Sequence, residues 1–315
     1  MIRNRTLWLF FGILAIIIVS SIVLIRVTTP PPASKPQINT AEATDGNFYS
    51  IMNGHGQLIL RTGFPVNIGD IFIDEKDRAF KVAQLDGWKA TAEPTSIPET
   101  RKDQQQAAGL QLDNTSIPVQ GNGDIHVGMY HTHSDESYPI SDGTSSIRGK
   151  GTIYEVGKSL TGSLITSGIS VSHSDATHGP HDPNAYYRSR RTVFQLLKER
   201  PDAVFDVHRD SAPSEEYLTL INGLPTSRTM IVVGRQNPNM GSNLDFARYV
   251  KKQADELYPG LMRGIFIGRG SYNQDLYPNA LLFEIGTDQL SRESAERGAR
   301  NLGDVVAQVL RENRR

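Results

Sequence analysis

The chain has 315 residues, 33 Lys and Arg against 34 Asp and Glu, a formal net charge of -1 and 38% hydrophobic content. That balance excludes the basic footprint of a nucleic-acid binder, and the apolar fraction is ample for one or two globular domains. The sequence has no cysteine, which excludes disulfides, thiolate metal sites and cysteine nucleophiles, so any metal has to be held by histidine and carboxylate side chains.

In chain order, residues 7–25 read LWLFFGILAIIIVSSIVLI, a run without a charge. As a helix it is long enough to cross a hydrocarbon layer of about 30 Å. Arg3 and Arg5 precede the run and only Arg26 follows closely, which predicts a cytoplasmic N-terminus with the remainder extracytoplasmic. A cleaved signal peptide is the competing reading. The run is longer than the usual signal h-region and no small-x-small motif follows it cleanly, so residues 1–27 are read as a single-pass anchor in the cell membrane.

Residues 28–46 open with TTPPPASKP and are read as a Pro-rich linker. Residues 47–93 carry short apolar runs (58–60, 66–73, 80–82) between turns and predict a small β-rich, membrane-proximal module. Residues 94–120, punctuated by Pro94, Pro98 and Pro118, form a connector.

From 121 to 315 strands alternate with helical stretches. Strands are expected at 125–130, 169–172, 204–207, 229–233, 264–267 and 280–283, with helices at 154–167, 185–200, 244–257 and 291–311. This alternation predicts an α/β domain with a mostly parallel sheet flanked by helices. In such sheets ligands bind outside the carboxyl ends of the strands.

Three of those strands end in groups that are costly to bury unpaired. The first runs into Tyr130-His131-Thr132-His133-Ser134-Asp135-Glu136, the second into Asp206-Val207-His208-Arg209-Asp210, and the third into Phe283-Glu284-Ile285-Gly286. Imidazoles and carboxylates converging on one point are what a catalytic zinc site takes, with a further position left open. If the first strand continues, His131 and His133 share a face by the two-residue alternation, and spacing does not choose between them. A second group, His173, Asp175, His178, His181 and Asp182, falls in a Gly/Pro/Ser-containing stretch and reads as ordinary loop polarity.

Taken together, YHTHSDESY, FDVHRDS, VVGRQNPN and YNQDLYPNALLFEIG, with the helix after them, resemble the stage II sporulation protein P family of membrane-anchored peptidoglycan hydrolases. The resemblance spans about residue 47 to the C-terminus. It implies a catalytic domain of 121–315 similar in fold to zinc N-acetylmuramoyl-L-alanine amidases, with Zn2+ held by His133, Glu136 and His208. His131 and Glu155 are the alternates for ligands. Glu284 would be the general base, taking a proton from the attacking water and returning it to the leaving amine. Arg209 and Asn273 are the candidate substrate contacts, and Asp210 a candidate to orient a ligand imidazole. The resemblance also implies peptidoglycan as substrate, stem-peptide endopeptidase activity beside amidase activity, a setting in engulfment, and stage II sporulation proteins D and M as partners. A non-catalytic peptidoglycan-binding scaffold of the same fold is the alternative function. Loss of a ligand or of the base would mark it, and His133, Glu136, His208 and Glu284 are all present.

Overall fold

The structure is a computed structural model that describes residues 42–43, 46–100, 103 and 124–312. The apolar run 7–25, the linker up to residue 41 and most of the connector lie outside the described residues. Among the described residues no helix is long and apolar enough to cross a membrane.

Thirteen strands and six helices make up the described fold. The strands are β1 (Tyr49–Met52), β2 (Leu58–Thr62), β3 (Ile71–Asp74), β4 (Ala79–Asp86), β5 (Lys89–Thr95), β6 (His126–Tyr130), β7 (Ser170–His173), β8 (Ala203–Asp210), β9 (Leu218–Ile221), β10 (Leu224–Ser227), β11 (Thr229–Gly234), β12 (Met262–Gly268) and β13 (Ala280–Thr287). The helices are α1 (Pro139–Asp142), α2 (Ile153–Thr166), α3 (Ala185–Leu197), α4 (Ser214–Tyr217), α5 (Met240–Leu257) and α6 (Arg292–Glu312). Eleven of the strands share one sheet in the order β2-β1-β5-β4-β3-β12-β11-β13-β8-β6-β7, while β9 and β10 form a separate hairpin.

The eleven-stranded sheet as a whole is mixed; among its strands from 121–315 every pairing is parallel except β11–β13, as expected there, and the other antiparallel pairs lie in or against the 47–93 section. Parallel pairs are β12–β11, β13–β8, β8–β6, β6–β7 and β1–β5. Antiparallel pairs are β11–β13, β3–β12, β3–β4, β4–β5 and β1–β2. The physical reason lies at two seams. β13 is inserted antiparallel to β11, and β3 docks edge to edge on β12, which carries the strands of the 47–93 section into the same sheet.

Alternation along the strands divides the two faces. Phe205, Val207, Ile231, Val233, Ile265, Ile267, Phe283 and Ile285 point to a large core shared with buried residues of α2, α5 and α6. Helix α6 supplies Ala295, Ala299, Leu302, Val306, Val309 and Leu310, the three-and-four spacing that gives a helix one apolar face. The opposite face carries Val204, Met230, Val232, Phe266 and Leu282, covered in part by α3 and in part by the first five strands. His208 and Glu284 are even-numbered members of the same strands as Val204 and Leu282, so alternation directs them to this second face.

Candidate metal centre

Strand β8 is buried along its whole length, yet its sequence AVFDVHRD ends with charged and polar residues where a fully covered strand is normally apolar. His208 sits in register with Glu284 on the adjacent parallel strand, so the two side chains emerge side by side. Beyond Glu284 the pairing shifts register before Thr287, and Gly286 takes φ 75°.

The turn after β6 completes the group. His133 and Glu136 are both essentially inaccessible. Glu136 Oε1 lies 3.5 Å from His133 Nδ1 and 3.5 Å from His208 Nδ1. The other oxygen, Oε2, accepts the Arg209 backbone N–H at 2.9 Å. The two imidazoles meet at 5.0 Å between centroids and 82° between planes. Behind His208, Asp206 Oδ1 is 2.9 Å from Nε2 and also accepts the Thr132 N–H at 2.8 Å. A carboxylate behind an imidazole fixes its tautomer and aim. The orienting carboxylate is therefore Asp206. Asp210 instead accepts from Thr62 Oγ1, the Gly63 N–H and the Tyr217 hydroxyl, tying the end of β2 to β8.

The turn reaches this position because Gly151 lets the following chain press against it. A Cβ there would stand 2.1 Å from the Glu136 carbonyl oxygen. The Gly151 N–H in turn donates to Ser134 O at 2.7 Å.

The carboxylates and imidazoles of this centre shift one another's ionisation. Burial opposes ionisation of Glu136, yet His208, His133 and Arg209 together hold it well below the usual carboxylate range. Burial alone would lower His133, but Glu42 and Glu136 raise it to about 9. His208 is likewise pushed well above 6.5, against burial, by Asp206 and Glu136. Glu284 goes the other way: burial, with Glu42, Asp210 and Glu136 adding to it against His208, lifts it well above 4.5.

Both ring nitrogens of His133 and of His208, Oε1 of Glu136 and both oxygens of Glu284 are buried without a well-aligned hydrogen bond among the described residues, although carboxylate oxygens of Glu42 and Asp206 stand 3.0 Å from His133 Nδ1 and 2.9 Å from His208 Nε2. Buried polar atoms are otherwise almost always satisfied. Tetrahedral zinc with bonds of about 2.0–2.2 Å spaces its ligand atoms roughly 3.3–3.6 Å apart, and the 3.5 Å separations around Glu136 Oε1 match that spacing. Two of the three separations that a donor set of His133, Glu136 and His208 needs are thus of the right size, whereas the ligand atoms that all lie within 4.8 Å of one another are those of His133 and Glu136 with Glu42 and His181.

The other expected residues fall elsewhere. His131 does not share a face with His133, because β6 ends at Tyr130 and the alternation stops with it. Its Nδ1 is 2.7 Å from Val207 O and its Nε2 is 2.8 Å from His173 Nε2, so both nitrogens are engaged away from the centre. Glu155 is exposed on the first turn of α2 and pairs with Lys158 at 2.8 Å. The Arg209 guanidinium donates to the carbonyls of Ser137, Ser145 and Asp210, bracing the 137–145 loop. Asn273 lines a groove of about 340 Å3 beside Tyr186, Tyr187, Arg190 and Tyr272, while its Nδ2 donates to Ser189 Oγ at 2.9 Å.

Besides Asp206, two further residues were missed. His181, read as loop polarity, stacks on His133 at 3.8 Å and 21° and has its Nδ1 3.2 Å from Asp135 Oδ1. Glu42, read as part of the linker, brings Oε2 to 3.0 Å from His133 Nδ1. Ligand atoms of Glu42, His133, Glu136 and His181 all lie within 4.8 Å of one another. No local sequence signal marks Glu42, since only the return of the chain to the sheet brings it there. His181 carried a faint one, the proximity of Asp182 and His178.

An α/β protein with a buried histidine and carboxylate centre at the carboxyl ends of its strands is thus the class defined by the fold and site. A sequence model of the stage II sporulation protein P family matches residues 73–307. Stage II sporulation protein P of Bacillus subtilis (strain 168) is 30% identical over 234 residues, covering 68% of this chain and 58% of the relative. The chain belongs to the stage II sporulation protein P family, and the match spans somewhat over half the length of that relative. Solved structures with a related arrangement include the N-acetylmuramyl-L-alanine amidase Ami1 from Mycobacterium smegmatis (14% identity, 61% of this chain, all of that one, TM-score 0.39). Cwp6 from Clostridium difficile gives 13% identity over 62% of this chain and 30% of its own, at TM-score 0.42. Likeness at that level decides nothing about chemistry, which rests on the residues above.

Proposed function

We propose that this protein is a zinc-dependent peptidoglycan hydrolase, an N-acetylmuramoyl-L-alanine amidase with stem-peptide endopeptidase activity, anchored by residues 7–25 and acting in engulfment beside stage II sporulation proteins D and M. The observation that carries the reading is the set of buried, unpartnered atoms of His133, Glu136, His208 and Glu284 at the strand ends of a family member. His133, Glu136 and His208 would hold the ion. When bound, such an ion polarises a scissile carbonyl and makes water a nucleophile near neutral pH.

The chain's own groups supply the rest. Asp206, 2.9 Å from His208 Nε2, fixes that imidazole with Nδ1 turned toward Glu136. Glu284 has both oxygens free and lies in register with His208; it would take the proton from the attacking water and deliver it to the amine nitrogen as the amide bond breaks. Its raised pKa suits a group that must both accept and donate. The groove past Tyr186, Tyr272 and Asn273 offers aromatic faces to a peptide, with the Arg190 guanidinium in its wall paired to both oxygens of Asp275, which gives Asn273 a place at the substrate; Arg209 would act one step removed, through the loop it braces.

The test is zinc content and product analysis on the full chain. Near-stoichiometric zinc, chelator-sensitive release of intact stem peptides with a free L-alanine amine, and loss of release in Glu284→Ala with zinc retained support the amidase. Shortened peptides alone would assign endopeptidase cleavage, and neither zinc nor release would overturn the reading.

A further inference from the structure

Three arginines stand around the groove that runs along Tyr186, Tyr272 and Asn273, and two of them are already neutralised. Arg190 donates to both oxygens of Asp275 at 2.9 Å. Arg235, behind the loop, donates from Nε to Asp70 Oδ1 at 2.9 Å. The third, Arg269, lines the groove partly buried, and its guanidinium has no hydrogen bond, ion pair or ring contact among the described residues. The remaining charged group of the lining is Glu42, whose oxygens face His133 Nδ1 at 3.0 Å and the Tyr186 hydroxyl at 3.0 Å. Among the described residues, the groove is therefore left with one uncompensated positive charge.

The backbone that carries Arg269 is held from several sides. Asp70, buried in the 47–93 section, accepts the Arg269 backbone N–H as well as the Asn67 N–H at 2.7 Å. Gly270 O accepts the Gln236 N–H at 3.0 Å, and Ser271 Oγ donates to Asp275 Oδ1 at 2.6 Å. Tyr272 and Asn273 then take φ 49° and 56°, a left-handed conformation that residues other than glycine hold only where their surroundings impose it. A file of rings leads from this loop to the candidate centre: Tyr272 to Tyr186 at 5.5 Å, then Tyr186 to His208 at 6.2 Å with 13° between planes. The groove of about 340 Å3 is of the size of small-ligand clefts, about 300–1,000 Å3. A substrate whose reacting bond lies at His208 thus meets aromatic surface beside it and the Arg269 guanidinium in the same lining.

Resting on the peptidoglycan-hydrolase reading above, we infer that Arg269 is a specificity-determining residue, which pairs with a free carboxylate of the stem peptide and so selects carboxylate-bearing stems over stems amidated at that position. A planar guanidinium takes a carboxylate through two parallel N–H donors. A carboxamide offers one acceptor oxygen, no charge and an NH2 group that faces those donors, so the same place disfavours it. The 47–93 section takes part in the selection, because its Asp70 orders the loop and keeps Arg235 engaged.

The experiment uses the full chain in detergent and muramyl peptides in which each free carboxyl of the stem is in turn a carboxylate or a carboxamide. Cleavage is followed at saturating zinc, and binding of the corresponding free stem peptides is measured on the zinc-free chain. In the parent, one of these exchanges should lower kcat/KM about tenfold, through KM, and weaken binding to match, the size of a charge-assisted pair that stays partly solvated. Added salt should narrow the gap. Arg269→Gln should bring the two forms to within about twofold, whereas Arg269→Lys, which keeps the charge without the planar fork, should retain part of the preference. Equal handling of carboxylate and carboxamide forms by the parent overturns the inference while leaving the amidase reading intact. A preference that survives Arg269→Gln, with both forms slowed in the same proportion, overturns it too and marks a structural role. If the zinc-loaded parent cleaves nothing yet binds the carboxylate peptide with this preference, the amidase reading falls and the Arg269 pairing stands.

Discussion

His131 and His133 stand two residues apart and are both buried, yet their surroundings are opposite. Both nitrogens of His131 are engaged, one with Val207 O and one with His173. Neither nitrogen of His133 has a well-aligned hydrogen bond, although four carboxylate or imidazole neighbours crowd it. Burial lowers His131 to about 3, helped by His173, whereas carboxylates raise His133 to about 9 against burial. The difference teaches that a histidine's presence says little. What distinguishes a binding centre from a structural pair is whether the buried atoms are already satisfied.

The comparison breaks most visibly at Glu284, whose two free oxygens belong to the unsatisfied group. Glu284→Gln should lower peptidoglycan turnover by about 10²–10⁴-fold, with zinc content unchanged by metal analysis. Next, His133→Ala should weaken zinc binding by more than about 100-fold, since partners behind the ligands alone are worth about 10–100-fold; chelator titration reads it. His131→Ala, in contrast, should leave that titration where it was and cost about 2–3 kcal/mol of stability in urea unfolding, from the stranded Val207 carbonyl and the cavity. If His131→Ala strips the metal instead, the assignment of the two histidines is reversed.

A finer test bears on the satisfied pair. A Cβ on Gly157 would lie 2.7 Å from His131 Nε2 and 2.7 Å from His173 Cε1. Alanine gains about 1 kcal/mol in a helix interior, but overpacking here costs about 1–3 kcal/mol, so Gly157→Ala should lie between neutral and about 2 kcal/mol destabilising. The same pair can be read through pH. His131 is held at about 3 and His173 at about 4, the latter by burial and the Lys150 and Lys158 charges, against an ordinary 6.5. The unfolded chain therefore binds more protons between those values. Stability from this pair is complete above pH 6.5 and declines on acidification toward pH 4, by up to about 1.4 kcal/mol per pH unit per group. Unfolding midpoints across that range, in parent and in a His131→Asn, His173→Asn variant, measure it.

Much of this was legible in the chain. Strands at 204–207 and 280–283 and helices at 185–200 and 244–257 are seen as Ala203–Asp210, Ala280–Thr287, Ala185–Leu197 and Met240–Leu257, because the strands are short, nearly continuous apolar runs and the helices repeat apolar residues at three-and-four spacing. Less legible were β1, β5 and the β9–β10 hairpin. YSIM, LTLI and LPTS carry too few residues for a period to emerge, and KATAEPT has no apolar side chain larger than alanine apart from its proline. The antiparallel insertion of β13 left no local trace, since strand direction is a property of the connection rather than of the strand.

For the centre, the sequence by itself determined the chemistry on offer. Without cysteine it restricted ligands to imidazole and carboxylate, and it put His133, Glu136, His208 and Glu284 at the ends of apolar strands where an unpaired ionisable group is costly. Only the tertiary structure decided which of those groups remain unsatisfied. It turned His131 away by ending β6 one residue earlier, set Asp206 rather than Asp210 behind His208, and brought Glu42 and His181 to the same few ångströms from positions far apart in the chain. The reason is that satisfaction of a buried polar atom is settled by neighbours across strands and loops, and no spacing along one segment encodes them.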